Sequence, residues 1–190
     1  KGTIWLDQID IRKMEKIGLR HVIGLVSQDV FLFAGTLRDN ITLFNPIPDA
    51  KVWEIIDSLG LMPFIDRMSG GLNMEIAERG ANLSVGERQF ISLSRIIIYD
   101  PRVLILDEAT SSMDPISEVL IQNAIQKVTQ GRTSIIIAHR LSTILHCDKI
   151  IVLNKGEKVE EGSHEELLRK GGLYSQLYKV YMKEELIGHA

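Results

Sequence analysis

Val103-Leu104-Ile105-Leu106-Asp107-Glu108-Ala109-Thr110-Ser111-Ser112-Met113-Asp114, residues 103–114, is the stretch that decides the fold. Four aliphatic residues without polar alternation read as a strand buried on both faces of a parallel sheet. Asp107 and Glu108 then put two carboxylates at the carboxyl edge of that sheet, where open α/β proteins bind their ligands. Asp107 suits a contact to Mg²⁺. Glu108, one residue on, can face another way and polarise a water molecule. Acidic strand ends are common, so the pair alone also fits two surface carboxylates.

Outward from this strand, Asp114 before Pro115 predicts a helix start, with Leu120, Ala124, Ile125 and Val128 on one face. Similar apolar runs predict strands at 3–6, 23–27, 134–138 and 150–153. A further strand at 158–161 would pair with the last through a turn at Lys155-Gly156. Strands alternating with helices make an α/β sandwich. Residues 36–80 break the rhythm, with helical signals at 50–59 and 63–68 and no convincing strand, and read as a mostly helical insertion. Residues 164–185 predict two helices separated by Gly171-Gly172. The expected division is 1–35 as the first part of the core, 36–100 as the helical part, and 101–190 as the second part of the core.

Composition narrows the function. A net charge of −3 with no basic stripe argues against a nucleic-acid partner. Cys147 stands alone, so no disulfide can form within the chain. No apolar run approaches the roughly 20 residues that cross a bilayer. A membrane role would have to come through a partner or another part of a longer polypeptide.

Three further signals lie at strand or helix ends. Leu83-Ser84-Val85-Gly86-Glu87-Arg88-Gln89 leads into a helix, and Ser84 and Glu87 have capping-box spacing. The same geometry leaves amides and a helix dipole at 84–86 for an anion, and neither role excludes the other. His139 follows the strand at 134–138 and can hydrogen-bond a phosphate oxygen, although a lone histidine is more often structural. Gln28 follows the strand at 23–27 and can touch Mg²⁺ or orient water.

In this order, the signals resemble the nucleotide-binding domain of ABC transporters over essentially the whole chain. Gln28 matches the Q-loop, Glu78-Arg79-Gly80 resembles the X-loop of exporters, and residues 83–89 resemble the LSGGQ signature. Val103-Leu104-Ile105-Leu106-Asp107-Glu108 matches Walker B with its glutamate, Ser111-Ser112-Met113-Asp114 the D-loop, and His139 the switch histidine. Asp29-Val30-Phe31-Leu32-Phe33 and His139-Arg140-Leu141-Ser142-Thr143 look exporter-like. The resemblance implies a P-loop NTPase-like, mostly parallel sheet flanked by helices, with ATP and Mg²⁺ bound between two such domains. Asp107 and Gln28 would then serve Mg²⁺, Glu108 would activate water, and His139 would contact the γ-phosphate. Ser84, Val85, Gly86 and Glu87 would face the partner domain's nucleotide, and Asp114 would communicate across that interface. The helical part would receive coupling helices of a membrane domain, holding the chain at the cytoplasmic face of the membrane.

Three departures qualify this, one being that the aromatic residue that stacks on adenine in this family is absent from the sequence. G-x-x-x-x-G-K-[ST] occurs nowhere, and Lys1-Gly2-Thr3 resembles the segment just after the Walker A helix. The chain is therefore expected to be a fragment without that loop, inactive alone. The alternative is a non-catalytic piece that binds a partner domain but no nucleotide. Val85 and Glu87 also stand where Gly and Gln are usual, which predicts a weakened but working signature.

Overall fold

A computed structural model describes residues 2–27, 29–107, 113–138 and 141–188, without the side chains of 141, 142 and 183–188. Gln28, Glu108, Ser111, Ser112, His139 and Arg140 lie outside the described residues. The chain divides into two compact units, Lys1–Ile137 and Ala138–Ala190.

The first unit opens with β1 (Trp5–Leu6) and β2 (Ile9–Asp10), an antiparallel hairpin. Its turn at Asp7 and Gln8 has positive φ at both residues, 46° and 67°, the twist that a two-residue hairpin loop needs. α1 (Lys16–Val22) feeds β3 (Ile23–Val26). β4 (Gly35–Thr36), α2 (Leu37–Thr42), α3 (Asp49–Leu59), α4 (Met62–Arg67), β5 (Glu75–Ile76) and α5 (Val85–Tyr99) follow. β6 (Val103–Asp107), α6 (Pro115–Thr129) and β7 (Thr133–Ile137) complete the unit.

The main sheet runs β3-β6-β7 and is parallel throughout, with Leu25, Ile105 and Ile135 in one row and Asp107 beside Ile137. This is the predicted α/β architecture, with one correction. The strands are covered on one face only among the described residues. Val26, Leu104 and Leu106 are buried, whereas the opposite face leaves Leu25, Ile135 and Ile137 at 62%, 57% and 52% exposure. The aliphatic runs signal an apolar environment on both sides, but the chain's own helices cover one.

The expectation of no strand within 36–80 is also corrected. β4 and β5 pair antiparallel, Gly35 opposite Ile76 and Thr36 opposite Glu75. Two residues are too few to leave any periodic pattern. α3, α4, α5 and α6 fall where the sequence predicts helices, whereas it does not predict the short α1 and α2, and the core is continuous from the sheet into α2, α3, α4, α5 and α6. Phe64 and Phe90 stack at its centre, 5.7 Å apart and 10° from parallel.

The second unit holds α7 (Leu141–Leu145), β8 (Ile150–Asn154), β9 (Glu157–Gly162), α8 (His164–Lys170) and α9 (Leu173–Gly188). The hairpin β8-β9 turns at Lys155-Gly156 as predicted, and Gly171 ends α8 in the left-handed conformation. Val152, Leu167 and Tyr174 form its small core.

Candidate functional site

α5 begins at a cap that the sequence predicted. The Ser84 amide donates to Glu87 Oε2 at 2.7 Å, and Ser84 Oγ accepts from the Glu87 amide at 3.3 Å. The Glu87 carboxylate is therefore folded back on its own helix rather than projecting from it. The box leaves the Val85 and Gly86 amides in the first turn without an intrahelical acceptor, as at any helix start.

Gly86 is buried for a reason the sequence did not reveal. A Cβ there would lie 3.0 Å from Ser117 Cβ and 3.2 Å from Phe64 Cε1, so α5 and α6 touch at their first turns. Asp114 caps α6, accepting from the Ser117 amide at 3.0 Å. Its carboxyl is held below the ordinary carboxylate range by its hydrogen bonds with Ser117, with a smaller contribution from the Arg67 charge. The Gly86–Ser117 contact thus brings the first turn of α5 and the Asp114-capped start of α6 side by side.

Asp107 is the last residue of β6, half-buried, and its carboxylate makes no hydrogen bond or ion pair with a described residue. A carboxylate at a sheet edge fits Mg²⁺, which takes one or two protein carboxylates and draws its other ligands from phosphates and water. Gln28, Glu108 and His139, the other residues assigned to this chemistry, lie outside the described residues. Their chain neighbours are placed. Ser27 follows β3, Asp107 ends β6 and Ala138 follows β7, and these three strands are parallel neighbours in the order β3-β6-β7.

The turn Glu78–Gly80 departs from a plain solvated loop. Arg79 and Gly80 both have positive φ, 58° and 68°, and a Cβ on Gly80 would stand 2.5 Å from Leu32 Cδ1. Asn82 braces the turn, accepting from the Ala77 amide and donating to the Glu75 carbonyl, both at 2.9 Å. Beside it, Phe31, Phe33 and Phe44 form an exposed edge-to-face chain with centroids 5.0 and 5.7 Å apart. Phe31 is 64% and Phe44 59% exposed. The sequence motifs did not single out Phe44, whose φ of 62° turns it toward Phe33.

Comparison with known proteins gives one consistent result. The family described as "ABC transporter" matches residues 1–111. The chain is 46% identical over 180 residues to the Bacillus subtilis protein YknV, an uncharacterized ABC transporter ATP-binding protein, covering 94% of this chain and 30% of that one. It is 42% identical over 187 residues to an ATP-dependent lipid A-core flippase of Alcanivorax borkumensis, covering 97% and 32%. A bacterial Atm1-family ABC exporter solved with ATP bound superposes with a TM-score of 0.84 at 38% identity, over 94% of this chain and 32% of that one. The chain thus spans about a third of the length of these relatives.

Proposed function

The chain belongs to the ABC transporter family as an ATP-binding domain, and on that premise we propose that it powers an exporter by hydrolysing ATP. The observation that carries this is the paired start of α5 and α6, with Gly86 wedged on Ser117 and capped helix ends presented together. A helix N-terminus so placed favours an anion, here the γ-phosphate of a nucleotide held by a second copy or a related domain. In this proposal Asp107 and Gln28 hold Mg²⁺, which neutralises charge developing on the phosphate oxygens. Glu108 takes a proton from the attacking water, His139 donates a hydrogen bond to the γ-phosphate, and Asp114 communicates between the two sites.

The exposed Phe31, Phe33 and Phe44 support a membrane-domain partner. Contiguous exposed aromatic surface beside a strained loop suits an apolar helix end better than water. No helix among the described residues is long and apolar enough to cross a membrane. This reading puts the chain at the cytoplasmic face. Expression of the full-length protein followed by MgATP hydrolysis in reconstituted vesicles tests it, and an inactive, correctly folded preparation would overturn it.

The chain by itself is a different case. No P-loop occurs in its 190 residues, and that loop supplies the amide cradle and lysine that hold the β- and γ-phosphates. Without them the nucleotide's negative charge meets Asp107 and Glu108. Isothermal titration of the purified chain with MgATP is expected to give a Kd weaker than about 1 mM. Stoichiometric micromolar binding would reveal a substitute phosphate site.

The altered signature is tested by Val85→Gly with Glu87→Gln in the full-length protein. Glutamine keeps the capping box while removing a negative charge beside the nucleotide. ATP-driven dimerisation should strengthen by about two- to fivefold, the effect of one charge at a helix N-terminus. Unchanged dimerisation and turnover would make both departures neutral.

A further inference from the structure

Arg95 lies in the last turns of α5, half-buried, within the apolar run Ile91-Ser92-Leu93-Ser94-Arg95-Ile96. An arginine there should cost desolvation energy, and burial does pull its guanidinium down to about 10, a shift that nearby Tyr99 partly opposes. Among the described residues, the acceptors of its hydrogen bonds are all neutral. Nε donates to the Asn40 carbonyl at 2.7 Å, Nη1 to the Phe31 carbonyl at 2.9 Å, and Nη2 to Asn40 Oδ1 at 3.4 Å.

Asn40, fully buried in α2, extends the grip. Its Oδ1 accepts from the Phe33 amide at 2.9 Å, and its Nδ2 donates to the carbonyls of Phe33 at 2.9 Å and Thr36 at 3.1 Å. The side-chain amide thus pairs with the Phe33 backbone as a neighbouring strand would. Upstream, Gln89 Nε2 reaches the Ser27 carbonyl at 3.4 Å. α5 therefore holds the chain on both sides of Gln28, at Ser27 and at Phe31. Just beyond Phe31, Leu32 is buried against Gly80, and Arg88 Nη1 donates to the Gly80 carbonyl at 3.4 Å.

We propose that Arg95 is a positioning residue that ties the Phe31 and Phe33 segment to the helix beginning at Ser84, so that displacement at the signature end is carried to the aromatic surface. The proposal rests on the transporter reading above. A rigid helix bonded to the loop by fixed forked contacts transmits movement, whereas a loop held by apolar packing alone can slide. Arginine is required because its planar fork serves two backbone carbonyls together from separate nitrogens, while lysine gathers its three donors on one rotatable nitrogen.

The test uses the full-length transporter reconstituted in vesicles, with a fluorophore pair on the membrane domain and MgATP plus orthovanadate as the probe. Arg95→Gln should hydrolyse ATP at close to the parent rate and melt at nearly the same temperature. The fluorophore response should fall by about two- to thirtyfold, the range for residues that carry coupling between sites. Arg95→Lys should fall between the two. A full response in Arg95→Gln overturns the proposal. So does a parallel loss of turnover, melting temperature and response, which would mark a merely structural arginine. If Arg95→Gln fails to accumulate, Arg95→Lys is judged by the same outcomes. A parent that hydrolyses no ATP overturns the transporter reading, and this proposal with it.

Discussion

Glu108→Gln in the full-length protein should lower ATP turnover by about 10²- to 10⁴-fold, the loss expected when acid–base help is withdrawn. Glutamine keeps the shape of glutamate and can still hydrogen-bond a water molecule, but it cannot take the proton as hydroxide character develops. Asp107, one residue earlier at the end of β6, keeps the charge proposed to hold Mg²⁺. Nucleotide binding is therefore retained, and ATP should trap the closed pair of domains, visible as a stable dimer on size exclusion. Single-turnover phosphate release measures the chemical step directly. A variant turning over at close to the parent rate would remove Glu108 from the role of base.

Phe90→Ala carries the largest expected effect on stability. Phe90 is fully buried and stacked on Phe64, and truncating such a ring costs about 3–5 kcal/mol in lost transfer energy and cavity. That is a large share of the roughly 5–15 kcal/mol that holds a typical domain folded. The damage also reaches the site, because Phe64 Cε1 is one of the atoms closest to Gly86. A urea titration of the purified chain should show a midpoint far below the parent's. A loss below about 1 kcal/mol would mean that neighbouring side chains collapse into the space.

What could be read in advance was local. The strand ending at Asp107, the cap at Asp114, the Ser84–Glu87 box and the Lys155-Gly156 turn each depend on residues within a few positions of one another, and each stands where the spacing put it. What escaped was set by distant partners. Gly86 looked like a phosphate contact, but its packing against Ser117 and Phe64 needs two other helices to be placed. Arg95 drew no reading from the sequence, because backbone carbonyls 55 and 64 residues away leave no trace in local pattern. β4 and β5 are simply too short to show a period. The readings of Gln28, Glu108 and His139 still rest on motif and position alone.

The bare side of the β3-β6-β7 sheet has a thermal consequence. Leu25, Ile135 and Ile137 are hydrated before any unfolding begins, so melting exposes less new apolar surface than it would in a sheet sheathed on both sides. Apolar exposure is the main source of the heat-capacity increment, at about 0.45 cal/K/mol for each Å². A smaller increment flattens the dependence of stability on temperature. The chain taken by itself should therefore lose less on cooling, and peak less sharply, than a domain of equal length with both sides of its sheet dry.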